Sequence, residues 1–186
     1  MAKFNLKILP QEFYNRDTLD VAKDLLGCLL VKKEKDGHLK IGKIVETEAY
    51  KSDDPACHAY RGKTKRSITL FKEPGIAYVY FTYGMHHCMN IVTESFDTAG
   101  AVLIRALEPL ENIDNTNGPA KLCREMNITR ELNETPMFAD DSEMFVSEGE
   151  SSKESNIVQT TRIGIKLAVD YPWRFYLKGN KWVSKK

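Results

Sequence analysis

Apolar and polar residues alternate most regularly over Lys43–Tyr50, KIVETEAY. With a strand's two-residue period, Ile44, Glu46, Glu48 and Tyr50 share one face, and Val45, Thr47 and Ala49 the other. The second face is small and apolar and suits a core; the first carries two carboxylates and a phenol in a row. Upstream, Asp17 or Thr18 is placed to cap a helix that turns Leu19, Ala22, Leu25 and Leu26 to one side, and Gly27 is placed to end it. Cys28–Val31 then reads as a strand, Asp36-Gly37 as a two-residue hairpin turn, and Leu39–Tyr50 as the return strand. Downstream, Pro74-Gly75 leads into a second hairpin, with strands Ile76–Thr82 and His86–Thr93 and a turn at Tyr83-Gly84-Met85. Further strands are expected at Ala101–Leu107 and Thr160–Val169, and a short helix after Gly118-Pro119 with Ala120, Leu122 and Cys123 turned inward. Trp173, Phe175, Tyr176 and Trp182 flank a Gly179-Asn180 turn and read as core. The pattern predicts one α+β domain over residues 1–186: a curved, mainly antiparallel sheet with a protruding hairpin and peripheral helices.

Composition adds little to that picture, but charge distribution adds more. The 186 residues carry a formal net charge of +1 and 42% hydrophobic residues, ordinary for a globular protein. Between Arg61 and Lys72 there are five basic residues and no acid, whereas Glu134–Glu154 holds seven acids against Lys153. The basic stretch suits a polyanion. The acid-rich Ala139–Ser155 reads as a mobile surface segment turned away from one. With no apolar leader and no run long enough to span a bilayer, a soluble cytoplasmic protein is expected. Cys28, Cys57, Cys88 and Cys123 form no paired spacing and are expected to be reduced.

Candidate chemistry gathers on the opening strand. Neighbouring same-face carboxylates lie roughly 6.8 Å apart along a strand and repel by roughly 2 kcal/mol at an effective dielectric of 20. Such a pair beside an aromatic can hold a base ready for proton transfer, although an edge strand whose acids face water would look the same. Lys63, Thr64, Lys65 and Arg66 are candidate phosphate contacts, and Tyr83, at a hairpin tip, a candidate wedge into a base stack. His86, His87 and Cys88 with Cys57 and His58 lack the tight spacing of a zinc site, so no metal is expected.

Several longer motifs then become specific: GKIVETEAY, CHAYRG, PGIAYVYFTYGMHHCMNI, VLIRALEPLE, NGPAKLC and RFYLKGNKWVS. In order, from about Leu19 to Ser184, they resemble the alkyladenine (3-methyladenine) DNA glycosylase family, in its bacterial form. The resemblance implies that Glu48 is the general base activating a water against the sugar C1′, and that Arg105 holds that water and the local phosphate. It implies that Tyr50, His58 and Tyr80 wall a pocket for the flipped base, that Asn90 disfavours guanine, and that Tyr83 fills the vacated stack. A carbonyl near Ile163-Gly164 is implied to approach the water.

The expected partner is double-stranded DNA containing alkylated or deaminated purines, bound by a monomer without cofactor or membrane. Glu46 is either a second acid or a structural hydrogen-bonding partner. Without a lysine beside Glu48, water is expected as nucleophile, leaving an intact abasic strand. His86-His87, Ser67 and Leu70 depart from the family's pattern and are expected to border the DNA surface. Two other classes fit some of the same residues: a metal-dependent nuclease using Glu46, Glu48 and Asp53 or Asp54, and a DNA-binding module without catalysis.

Overall fold

The computed structural model describes residues 4–82, 84–150 and 153–185. Its organising element is β2 (Leu39–Lys51), whose two edges are both occupied. Along one edge it pairs with β5 (Gly100–Glu111). Along the other it pairs first with β1 (Leu29–Lys33), then, from Glu46 to Glu48, with β8 (Arg174–Leu177). The hairpin β3 (Ala77–Thr82) and β4 (His86–Val92) extends the sheet beyond β5. At the far end β6 (Met144–Ser147) pairs with β1, and β7 (Ile157–Thr160) pairs with β8. All these pairings are antiparallel, and the eight-stranded sheet curls around its contents.

Helices α1 (Gln11–Tyr14), α2 (Thr18–Asp24) and α3 (Pro119–Glu125) are peripheral. Asp17 caps α2 by accepting the Leu19 N–H, and Val21, Ala22, Leu25 and Leu26 fill the main core. In α3, Leu122 and Cys123 join that core while Ala120 is only half-buried.

Several elements differ from the sequence pattern. The first hairpin turns through three residues, not two: Glu34 N–H bonds to the His38 carbonyl, Gly37 N–H closes onto Glu34, and Gly37 takes φ +86°. Only a residue without Cβ sits comfortably there. Met144–Ser147, inside the acid-rich stretch, is a fully buried strand. Met144 and Val146 enter the main core while Phe145 packs on the opposite face with Val31 and Ile41. The flanking acids set the average composition and mask four residues of strand pattern. Thr160–Val169 is not a strand: β7 ends at Thr160, and residues 161–167 loop back over β2. Of the aromatics near the Gly179-Asn180 turn, Phe175 is fully buried, whereas Trp173, Tyr176 and Trp182 are half-buried.

One irregularity decides where the glutamates point. Between Ile44 and Thr47 the register against β5 shifts twice, leaving Val45 unopposed on one strand and Arg105 on the other. The alternation therefore changes phase. Ile44 lies in the main core with Ala49, and Thr47 donates its hydroxyl to the Ala22 carbonyl of α2. Glu46, Glu48 and Tyr50 project to the opposite side, so Ile44 does not share their face. A bulge adds one residue without any composition signal, which is why strict alternation misplaces it.

Candidate active site

On that side of the sheet a cavity of about 460 Å³ opens between β2, the hairpin, the Pro55–His58 turn and the 161–167 loop. Tyr50, His58, Tyr80, Asn90 and Arg105 all line it. Glu48 lies directly behind the wall, with no exposed surface. Its Oε1 accepts the Ile163 N–H at 2.7 Å and faces Arg105 Nη1 at 3.3 Å. Its Oε2 accepts the Tyr50 O–H at 2.8 Å, leaving that oxygen a free lone pair. Burial, followed by the charge of Glu48, raises the Tyr50 phenol well above its ordinary range, so it stays a donor.

Glu46 is also dry but differently engaged. Oε1 accepts from Arg174 Nη1 at 2.7 Å and from Arg105 Nε at 3.3 Å, and Oε2 accepts the Ser184 N–H at 2.7 Å. Held by two arginines and a backbone N–H, Glu46 orients Arg105 between the two carboxylates. The two guanidiniums offset the repulsion expected from the bare pair.

The aromatic wall is rigidly assembled. His58 Nδ1 lies 3.0 Å from the Tyr78 hydroxyl, and its ring meets Tyr80 edge to face at 4.7 Å. Burial, then the neighbouring Arg66 charge, pushes the His58 imidazole down to about 4. Its folded pKa thus lies below the unfolded value, and the unfolded chain binds more protons in between. Stability should therefore fall as pH drops from about 6.5 towards 4. Thermal melts of wild type and His58→Gln across that window check this; parallel pH profiles would place the acid sensitivity elsewhere. Asn90 Nδ2 donates to the Tyr78 carbonyl at 3.1 Å, which fixes its amide in the wall. Cys57 and Cys88 also line the cavity. Burial pushes the Cys57 thiol up to about 11 and raises that of Cys88, so both stay protonated at neutral pH.

Of the basic-loop residues, Lys63 pairs with Asp97, and Arg66 lies over the Tyr80 ring at 5.3 Å as part of the pocket rim. Thr64 is held in the turn by Ser67, and Lys65 projects from it, exposed. Ser67 is fully buried and bonds the Gly62 carbonyl, so it shapes the loop rather than bordering DNA; Leu70, also buried, lines the cavity. Tyr83 lies outside the described residues. Asp54 is buried against Arg162 and does not join the glutamates; Asp53 is exposed.

A model of the family Methylpurine-DNA glycosylase matches residues 12–181. The chain belongs to that family. Curated relatives match the chain over nearly its full length. A protein of Carboxydothermus hydrogenoformans, provisionally named a 3-methyladenine DNA glycosylase, is 54% identical across 96% of this chain and 100% of its own. Relatives with the same provisional name from Clostridium botulinum (47% identical, 96% and 100% covered) and Methanoculleus marisnigri (46%, 96% and 99%) follow. Methylpurine-DNA glycosylases are DNA-repair enzymes, so DNA is the substrate. No helix among the described residues is long and apolar enough to cross a membrane.

Sequence reading missed two residues of this site. Arg162 and Arg174 are almost fully buried; Arg174 lies in an otherwise apolar and aromatic run, PWRFYL, and Arg162 follows two threonines and precedes Ile163-Gly164-Ile165. A buried arginine requires an anion, and that was the available signal.

Proposed function

We propose that the protein flips an alkylated or deaminated purine out of duplex DNA and hydrolyses its N-glycosidic bond, leaving an intact abasic strand. The observation carrying this reading is a dry carboxylate, Glu48, held by two hydrogen-bond donors and an arginine directly behind an aromatic-walled cavity of purine-binding size.

Extruding a base costs a few kcal/mol, least where pairing is already weakened by damage. Tyr50, His58 and Tyr80 recover part of it by stacking, which reads faces rather than edges and so accepts several purine shapes. A positively charged alkylated purine gains further from electron-rich rings, and neutral His58 adds no opposing charge. Asn90, pinned to the Tyr78 carbonyl, cannot withdraw from an exocyclic amine and so disfavours guanine. Tyr83 would fill the vacated stack, while Lys65, with Lys63 and Thr64 around the same turn, would meet the phosphates.

In the chemical step a water oxygen bonds to C1′ as the C1′–N bond breaks, and the electron pair leaves with the base. Glu48 Oε2 takes the water proton, and its negative charge stabilises the oxocarbenium-like sugar. Arg105, fixed by Glu46, holds the carboxylate and the water in line. Because Glu48 sits behind the wall, only a water admitted between Tyr50, Arg105 and Ile163 reaches it, which keeps bulk solvent out.

The test is single-turnover release of free base from duplexes carrying hypoxanthine or alkylated purines, with chelator present and borohydride added in parallel. Free base, an unbroken strand and no covalent adduct are expected. Borohydride-trapped protein or spontaneous nicking would move the chemistry to an amine nucleophile, and activity lost in chelator would point to a metal.

A further inference from the structure

The 161–167 loop is tied down by one ion pair that the mechanism above does not use. Arg162 and Asp54 form a two-pronged pair with no exposed side-chain surface on either partner. Arg162 Nη1 also donates to the Ala49 carbonyl of β2 at 2.9 Å. Its guanidinium packs against the rings of Tyr50 at 4.6 Å and Trp173 at 5.2 Å. Asp54, for its part, accepts the Ala56 N–H at 2.9 Å and so organises the turn that leads to His58. A single guanidinium therefore joins three walls of the cavity: β2, the Asp54–His58 turn and the loop.

The residue after Arg162 supplies the Ile163 N–H that Glu48 Oε1 accepts. A loop without regular secondary structure has no ladder to hold a backbone N–H in place, so its aim depends on its anchors. We infer that the Arg162–Asp54 pair is a latch that holds the Ile163 N–H on Glu48 and keeps Tyr50 against it, making Arg162 a positioning residue for the general base. This rests on the reading of Glu48 given above. Arg162 is not among the residues lining the cavity; it acts through Ile163 and Tyr50. The fork geometry matters, because only a guanidinium serves both Asp54 oxygens and the Ala49 carbonyl together.

Two variants separate positioning from folding. Arg162→Lys keeps the charge but loses the fork. Arg162→Met with Asp54→Asn removes both charges, keeps the stem packing on Tyr50 and Trp173, and keeps an acceptor for the Ala56 N–H; such neutral replacements of buried pairs are commonly tolerated. Three quantities are read for each: amide hydrogen exchange at Ile163, binding to an abasic-site duplex, and single-turnover base release. The latch predicts faster exchange at Ile163 and release slowed by about 100-fold, the cost of a misplacement near 1 Å. Abasic-site binding should stay at the wild-type level.

Wild-type exchange at Ile163 in Arg162→Lys, or wild-type release by the double variant, would overturn the proposal. So would release and abasic binding weakened by the same factor, which marks general loosening of the pocket. If the double variant fails to melt cooperatively, Arg162→Lys decides alone. Should wild type release no base from any lesion, the glycosylase reading of Glu48 fails, while exchange at Ile163 still reports on the latch.

Discussion

Glu48→Gln should bind an abasic-site duplex as wild type does and release base about a thousandfold more slowly, the scale of a lost general base. Glutamine preserves the shape, and its Oε1 can still accept the Ile163 N–H. Its amide N–H₂ would donate to the Tyr50 hydroxyl, whose own proton, displaced from Oε2, turns to water in the cavity that Tyr50 lines. Folding should therefore be unaffected. What disappears is the anion that takes the water proton and offsets the developing sugar charge. Single-turnover kinetics on hypoxanthine-containing duplex measure this directly. A mutant as fast as wild type would remove Glu48 from the chemistry.

Glu46→Leu should have the largest effect on stability. It strips the anion from Arg174, one of two carboxylates from Arg105, and the acceptor from the Ser184 N–H. Breaking a buried pair from one side typically costs about 3–5 kcal/mol, because the remaining charge is stranded. For a domain of this size that is a fall of roughly 10 °C in melting temperature. The exposed Lys7–Glu148 pair offers an internal contrast, since its side chains are 71% and 49% accessible. Lys7→Ala should leave the melt nearly unchanged. Equal melts for the two variants would mean that the Glu46 network is solvated in solution.

The alternating pattern of KIVETEAY was sufficient to find β2, and the hairpin that brings Tyr78, Tyr80 and Asn90 to the cavity was legible from its turn and its flanking β-rich runs. The phase of β2 was not. The paired irregularity at Val45 and Arg105 is a property of two strands meeting, and neither strand's sequence contains it alone. Composition misled at Ala139–Ser155 because acids are counted equally whether they flank a strand or replace it. Apolar content misled at Thr160–Val169, where Ile163 and Ile165 line a cavity instead of pairing in a sheet. Arg174 carried a legible signal, because a cation among Trp173, Phe175 and Tyr176 has to meet an anion or solvent. Which acid meets each arginine is set by how the strands and loops come together, and only the structure pairs Arg174 with Glu46 and Arg162 with Asp54.

The Glu46 network also bears on how the protein is made. Glu46 emerges from the ribosome 128 residues ahead of Arg174 and 138 ahead of Ser184. At ordinary synthesis rates that interval is roughly 10 s. During it, β1, β2 and β5 can pair, but a carboxylate destined for a dry interior still lacks one of its two guanidiniums and its backbone N–H donor. A nascent chain is better off leaving that part of the sheet open to water, so the Glu46–Glu48 end of β2 should close only when β8 docks on it. The Glu46 network would then form in one step, once Arg174 and Ser184 have both left the ribosome.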